Sequence, residues 1–152
     1  MDPDVRKHLG GILTPDEAAR RAASMANRPT TWAVTRQDDE VLLGLVTLSP
    51  RDSQTELSYM FLPAYWGKGF ALECCQAMLT IAFGELELDR VIAITQSANV
   101  RSCRLLEALG MSPIRSFIEF GAEQTEYEFP RSRWSAGFTR HADQGFSPGE
   151  RL

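Results

Sequence analysis

The pattern of hydrophobic and polar positions along the chain predicts six strands and three helices. Short runs of alternating or consecutive apolar residues are typical of strands, and apolar residues three and four apart are typical of helices. The predicted strands are 31–36, 41–48, 55–62, 91–95, 115–121 and 124–129. The predicted helices are 14–26, 70–83 and 100–109. This order predicts an α/β fold, in the mixed α+β sense, with helices flanking one mostly antiparallel sheet.

Capping residues support the ends of the predicted helices. Thr14, Pro15 and Glu17 form a helix start, with threonine as N-cap and glutamate in a capping box. Asn99 caps the third helix, which Gly110 closes. The middle helix carries only a thin polar stripe, which predicts that it is buried on most sides.

Two glycines mark special positions in the predicted elements. The first two strands are expected to form a hairpin around residues 37–40. Gly44, in the second strand of this hairpin, predicts either a bulge or a close approach of another backbone. Gly84 is predicted to end the middle helix.

Composition and charge exclude several classes of protein. At 152 residues the chain is long enough for one domain with a sizeable core. Its net charge of −4 argues against binding to nucleic acids or to membrane surfaces, which attract basic proteins. No apolar stretch reaches the roughly 20 residues that span a bilayer, and the first residues lack the features of a signal peptide.

The cysteines and histidines predict neither disulfides nor a metal site. Cys74, Cys75 and Cys103 fall in helix patterns, where they are most simply small core residues in a reducing compartment. His8 and His141 lie far apart in the sequence, with no partner at ligand spacing. We therefore expect a cytoplasmic protein without a metal.

The most informative segment is 66–71, Trp-Gly-Lys-Gly-Phe-Ala, which joins the third strand to the middle helix. Pro63 breaks the strand, and the apolar pattern of the helix begins at Phe70. A glycine loop between a strand and a helix directs several backbone N–H groups at one anion, close to the positive end of the helix. Glycine also lets the backbone approach a phosphate closely. The segment therefore predicts a binding site for a pyrophosphate.

Three stretches of the sequence, 56–63, 65–73 and 99–111, carry a resemblance to a known superfamily. In this order and spacing they resemble the GNAT acetyltransferase superfamily. Within it they resemble the branch of ribosomal-protein-alanine N-acetyltransferases and their relatives (RimJ/RimL-like). The resemblance covers residues 1–134, which we expect to form one GNAT domain, followed by a polar tail at 135–152.

The resemblance implies the donor and the acceptor of the reaction. The donor is expected to be acetyl-CoA, and the acceptor a primary amine of a protein N-terminus or of a small molecule. Because all three cysteines fall on helices that face the core, the amine is expected to attack the thioester directly, without an acetyl-cysteine intermediate. A non-catalytic acyl-CoA-binding or regulatory domain is the alternative function.

The residues expected to bind acetyl-CoA follow from the same resemblance. The superfamily motif Arg/Gln-x-x-Gly-x-Gly/Ala maps onto residues 66–71. The third strand is expected to bulge, to separate from the next strand and to pair with the pantetheine arm. The expected set is Met60, Phe61, Leu62, Trp66, Gly67, Lys68, Gly69, Phe70, Ala71, Asn99 and Ser102.

Two groups are expected to stabilise the charges that develop during the reaction. A backbone N–H at Met60 or Phe61 is the candidate donor to the oxyanion. The hydroxyl of Ser102 is the candidate proton donor to the departing thiolate. Ser102 also has an ordinary explanation as a residue in the first turn of a capped helix.

Glu56 is the candidate base that removes a proton from the amine. It lies on the third strand just before the expected bulge, and by alternation it shares a face with Ser58. Two alternatives stay open. A water relayed by Tyr59 or Ser58 could act as the base, and Glu56 could be an ordinary surface residue.

The sequence departs from the superfamily pattern at two site positions. Trp66 stands where Arg or Gln is usual, which puts in doubt a side-chain contact to the phosphate from this position. Leu106 stands where many members place a tyrosine that protonates the thiolate. Lys68, Arg101 and Arg104 carry charges that could meet the phosphates, although such side chains are also typical of a solvated surface.

A third departure concerns the start of the domain. The family normally begins with a strand and a short helix ahead of the segment matched here by residues 2–10. We therefore expect the sheet to lack its usual first strand. An open edge invites pairing with another chain, so a homodimer is a possible assembly.

Overall fold

The computed structural model describes residues 31–134 of the chain. The predicted helix at 14–26, the expected missing first strand and the tail at 135–152 lie outside the described residues. The described strands are β1 (Thr31–Thr35), β2 (Leu42–Arg51), β3 (Gln54–Phe61), β4 (Arg90–Gln96), β5 (Ser112–Glu119) and β6 (Ala122–Pro130). The described α-helices are α1 (Phe70–Thr80) and α2 (Val100–Ala108). Single 3-10 turns lie at Pro63–Tyr65 and Arg131–Arg133.

The described strands form one sheet in the order β1-β2-β3-β4-β6-β5. Every neighbouring pair is antiparallel except β3 and β4, which run parallel. A parallel pair needs a crossover connection, and α1 lies in that connection. The predicted fold class, a mixed and mostly antiparallel sheet flanked by helices, is confirmed.

The core lies between one face of the sheet and the two helices. α1 buries Cys74, Cys75 and Met78 in it, as its thin polar stripe predicted. Phe83, which follows α1, packs on Phe129 of β6 with ring centroids 5.6 Å apart. Because burying such a side chain contributes roughly 1.5–3 kcal/mol, this layer holds the helices on the sheet.

The end of the middle helix differs from the prediction. α1 ends at Thr80, and the chain continues through a π-helical segment, Ile81–Glu85. In this segment the N–H of Leu86 donates to the carbonyl of Ile81 at 3.0 Å, five residues back. Gly84 therefore lies inside the segment instead of ending the helix. A single wider turn leaves the apolar pattern almost unchanged, so the sequence does not reveal it.

β2 is longer than predicted because Pro50 does not end it. The N–H of Leu62 donates to the carbonyl of Leu43, so by alternation Pro50, which lies opposite Thr55, directs its backbone groups away from β3. Proline is tolerated there because the ladder with β3 does not need the N–H that it lacks. β2 and β3 thus pair as far as Arg51 and Gln54.

Gly44 lies at a close approach of two strands. A Cβ at Gly44 would lie 2.3 Å from the carbonyl oxygen of Met60 and 2.9 Å from the Cα of Phe61. The ladder between β1 and β2 also shifts by one residue directly after the pair Val34 and Gly44. Both features predicted from this glycine are therefore present, and the close approach explains why a larger residue does not fit.

Replacing Gly44 with alanine is expected to lower the free energy of unfolding by about 2–3 kcal/mol, because the new methyl group meets backbone that cannot turn aside. Urea denaturation followed by circular dichroism measures the change. Gly84→Ala is the control, since its Cβ would meet only the Trp134 ring at 3.9 Å. Equal stabilities for Gly44→Ala and the unchanged protein would contradict the close approach.

Candidate active site

The parallel strands β3 and β4 touch at one point and then separate. Their only paired residues are Glu56 and Ile92, whereas β2 pairs with β3 along its whole length. Beyond Glu56 the two strands open into a cleft in the middle of the sheet. The expected separation is confirmed. The expected bulge in β3 is wrong, because the register between β2 and β3 runs without a shift.

The alternation of the β2–β3 ladder determines which backbone groups of β3 face this cleft. The N–H of Leu62 donates to the carbonyl of Leu43 at 2.9 Å, so Leu62 is directed toward β2. In an antiparallel ladder, successive residues direct their backbone groups to opposite sides. Met60 therefore also faces β2, and Tyr59 and Phe61 face the cleft. The ladder thus assigns the free groups to Tyr59 and Phe61 instead of Met60 and Leu62.

The cleft has a volume of about 790 Å³ and extends from β3 across the glycine loop to the start of α2. It is lined by nine of the predicted site residues: Glu56, Met60, Phe61, Trp66, Gly67, Gly69, Ala71, Asn99 and Ser102. The other three predicted residues, Leu62, Lys68 and Phe70, do not line it. Lys68 and Phe70 turn instead toward Tyr65, with the ammonium 5.7 Å and the Phe70 ring 6.4 Å from its ring centroid.

The glycine loop presents a row of unpaired backbone N–H groups. Gly67 and Gly69 adopt left-handed conformations, with φ of 72° and 84°. Gly69 is the N-cap of α1, and it has no side chain that could cap the N–H groups of the first turn. Among residues 31–134, no acceptor pairs with the N–H groups of residues 67–72, and the first helical bond starts at Glu73. These donors lie at the positive end of α1, where they favour an anion.

At the opposite wall of the cleft, α2 is tied to β3 by a hydrogen bond. Asn99 accepts the N–H of Ser102 at 3.2 Å, which confirms its role as N-cap. The Ser102 hydroxyl in turn lies 2.6 Å from the hydroxyl of Tyr59. Burial raises the pKa of Tyr59 above its ordinary value, so the phenol stays protonated at neutral pH. The pair lies on the helix-facing side of the cleft.

Sequence reasoning did not find the contact between Tyr59 and Ser102. The two residues are 43 positions apart and meet only because β3 and β4 separate. The available signal was the alternation of side chains along the strand. Tyr59 lies two residues from each of the core residues Leu57 and Phe61, which places it on the same face of the sheet, toward the helices.

Trp66 is held by the protein at the edge and on one face of its ring. Its indole N–H donates to the carbonyl of Phe61 at 2.9 Å. The guanidinium of Arg101 lies over the ring, 3.9 Å from the centroid. This is the position that departs from the superfamily motif, and its side chain contacts β3 and α2. Leu106, the other departure, is buried in the core.

Glu56 lies at the point where β3 and β4 part. Its carboxylate accepts the Ser58 hydroxyl at 3.3 Å, which confirms that the two residues share a face. Arg51 approaches it at 3.5 Å and also binds Glu119 at 3.0 Å. Burial is the largest influence and raises the pKa of Glu56, whereas Arg51 and Ser58 oppose the rise. A carboxylate with a raised pKa is a better base near neutral pH.

A sheet opened between two parallel strands, with unpaired amides at its mouth, is the arrangement that the resemblance to the GNAT superfamily implies for an acetyl-CoA site. The family model described as the acetyltransferase (GNAT) domain matches residues 1–112. The chain therefore belongs to the GNAT acetyltransferase family and is an acetyl-CoA-dependent N-acetyltransferase.

Individual proteins support this assignment. A Bacillus subtilis protein described as the uncharacterized N-acetyltransferase YnaD is 30% identical over 114 residues, covering 72% of this chain and 67% of that protein. The FsC-acetyl coenzyme A-N(2)-transacetylase of Aspergillus fumigatus is 29% identical, covering 88% of this chain and 67% of that protein. The crystal structure of a GNAT-family acetyltransferase from Bacillus anthracis superposes with a TM-score of 0.79 and 26% identity, covering 87% of this chain and 84% of that chain.

Two further findings concern the described part of the chain. Between residues 31 and 134 no helix is long and apolar enough to cross a membrane. The same residues contain no group of three or more side chains that could hold a metal ion.

Ser102→Ala is expected to lower the free energy of unfolding by about 1–3 kcal/mol, because the partly buried hydroxyl of Tyr59 loses its partner. Tyr59→Phe removes that hydroxyl, so the double variant is expected to be less destabilised than the two single losses predict together. Urea denaturation of the four proteins gives the coupling. Strictly additive losses would show that the two hydroxyl groups do not interact.

Proposed function

We propose that this chain transfers the acetyl group of acetyl-CoA to the nitrogen of a primary amine by direct attack. The observation that carries the proposal is the row of unpaired amides at residues 67–72, placed at the mouth of the cleft between β3 and β4. Such a row is suited to the diphosphate of CoA. The A. fumigatus relative, named for acetyl coenzyme A and an N(2) position, supports transfer to nitrogen.

In this proposal the pantetheine arm lies between the separated strands. It pairs with the cleft-facing backbone of Tyr59 and Phe61, as an added strand would. The carbonyl of Phe61 is already used by Trp66, so Phe61 contributes its N–H. Since the Asn99 oxygen caps α2, the amide nitrogen of that side chain is the group left for the arm. Gly67, Gly69 and Ala71, with the backbone of Phe70, take the diphosphate.

The N–H of Phe61 is our choice for the oxyanion donor. It points into the cleft from a strand that is paired along its other edge, so it needs no rearrangement to meet the developing charge. A preorganised donor of this kind typically contributes about 3 kcal/mol to stabilising the transition state.

We assign the base to Glu56 and the proton donor of the leaving group to Ser102. Glu56 lies on the face of the sheet opposite α1 and α2, and Ser102 lies on the face that these helices cover. Both residues line the cleft, which therefore passes through the sheet from one to the other. The amine gives a proton to Glu56, the C–N bond forms and the C–S bond breaks. The sulfur takes the proton of the Ser102 hydroxyl, which solvent restores, and Glu56 releases its proton to solvent. Tyr59 holds the Ser102 hydroxyl in place, at the step for which many superfamily members use a tyrosine at the position of Leu106.

Direct attack fits the surroundings of the cysteines. No cysteine lines the cleft among the described residues. Burial raises the pKa of Cys74 to about 12 and also raises that of Cys75, so neither forms a thiolate readily. Since Cys103 does not line the cleft either, an acetyl-cysteine intermediate would lack a nucleophile there.

Several finer assignments belong to the same proposal. The motifs at 65–73 and 99–111 favour the RimJ/RimL-like branch, and the acceptor is then a protein N-terminus or a small-molecule amine. A cytoplasmic location, a homodimer and a domain at 1–134 with a tail at 135–152 also remain predictions.

Gly69→Glu is expected to abolish the binding of acetyl-CoA, because a carboxylate then occupies the mouth of the cleft. Gly121→Glu is the matched control: both glycines have positive φ and open space around the Cβ position, so the backbone strain is similar. Isothermal titration calorimetry measures both affinities. Normal affinity in Gly69→Glu would refute the proposed diphosphate site.

Glu56→Gln is expected to lower kcat by about 100-fold while the Kd for acetyl-CoA stays unchanged. In the unchanged protein, kcat/KM should fall as the pH drops through the raised pKa of Glu56, and the variant should lose this acidic limb. Glu128→Gln is the control, since it removes a carboxylate of β6 that pairs with Arg90 and does not line the cleft. Thiol release across a panel of peptides and small amines measures the rates.

Two outcomes of this assay would count against the proposal. Full activity in Glu56→Gln would favour the alternative base, a water relayed by Tyr59 or Ser58. Binding of acetyl-CoA without turnover of any amine by the unchanged protein would favour the non-catalytic alternative.

A further inference from the structure

The stack of Arg101 on Trp66 joins the two walls of the cleft at its mouth. Trp66 opens the glycine loop, and Arg101 belongs to the first turn of α2. The guanidinium lies 3.9 Å from the ring centroid, and both residues line the cleft. Such a stack fixes a cation above an aromatic face.

Two hydrogen bonds hold the Trp66 ring on which Arg101 is stacked. The Trp66 indole donates to the Phe61 carbonyl at 2.9 Å, and its backbone N–H donates to Pro63 at 3.1 Å. The ring is therefore anchored at the end of β3, next to the unpaired amides of residues 67–72. A side chain stacked on it loses little further freedom when it binds an anion.

The charge of Arg101 has no acidic partner among the described residues. It also lies at the N-terminal, positive end of α2, whose first turn contains no acidic residue. A cation is unfavourable at this end of a helix. An anion bound at the mouth of the cleft would offset both costs.

The loop's own cation does not serve this purpose, since the ammonium of Lys68 is directed at Tyr65. We propose that Arg101, held by Trp66, binds the diphosphate of CoA and completes the site formed by the loop amides. This inference rests on the proposed function, because CoA is the ligand. The tryptophan at the first loop position thus acts through Arg101, as a positioning residue.

Binding of CoA, 3′-dephospho-CoA and pantetheine to the unchanged protein and to Arg101→Ala, measured by calorimetry, tests the inference. Arg101→Ala is expected to raise the Kd for CoA and for dephospho-CoA alike, by roughly three- to tenfold. The affinity for pantetheine, which has no diphosphate, is expected to stay unchanged. Arg104→Ala, on the same helix but without a ring contact, is expected to have the smaller effect.

A variant of Trp66 distinguishes the positioning of Arg101 from the effect of its charge alone. Trp66→Leu removes the stack and is expected to reproduce the Kd of Arg101→Ala with little further loss in the double variant. Additive losses would show that the two residues act independently and would overturn the positioning role.

The remaining outcomes are equally distinct. Equal Kd values for Arg101→Ala and the unchanged protein would overturn the inference and leave the proposed function intact. An effect seen with CoA but not with dephospho-CoA would place Arg101 at the 3′-phosphate and overturn the diphosphate assignment. Equal effects of Arg101→Ala and Arg104→Ala would show that only the general positive charge of α2 matters, and would overturn the role of the stack on Trp66. If the unchanged protein bound no CoA at all, the proposed function itself would fail.

Discussion

The separation of β3 from β4 is the constraint on which the rest of the structure depends. Two parallel strands normally satisfy each other's backbone groups, and here they do so only at Glu56 and Ile92. Everything beyond that point is arranged around the opening. β2 holds the far edge of β3, α1 begins at the mouth, and α2 closes the other wall through Tyr59 and Ser102. Because β3 is fixed along one edge, its other edge can stay open without becoming mobile.

The opening also places different chemistry on its two sides. Toward the helices lie Ser102 and Tyr59, which are neutral hydroxyl groups in partly buried surroundings. Toward the opposite face lies Glu56 among Arg51 and Ser58, where burial outweighs a nearby positive charge. An acid and a base on opposite faces of one sheet do not neutralise each other. This separation is the reason that we assign proton removal and proton return to different sides of the cleft.

The local features of the sequence predicted much of this arrangement. The positions of the glycines located the loop, the capping residues located the cap at Asn99, and alternation located the shared face of Glu56 and Ser58. These three features could be predicted because each depends only on residues close together in the sequence. The contacts between distant segments could not be predicted in this way. Tyr59 meets Ser102, and Trp66 meets Arg101, only after the sheet has opened. The choice of Phe61 over Met60 depends on which edge of β3 is paired with β2, and the residue types alone do not indicate that edge.

The unpaired amides of the glycine loop tie the energetics of the chain to its surroundings. No acceptor within residues 31–134 satisfies these donors, so a bound anion would add stability that the described part of the chain does not supply by itself. A ligand that binds the native state alone adds about 2.7 kcal/mol when its concentration is one hundred times its Kd. The thermal resistance and proteolytic lifetime of this protein would then rise and fall with the cellular supply of acylated coenzyme.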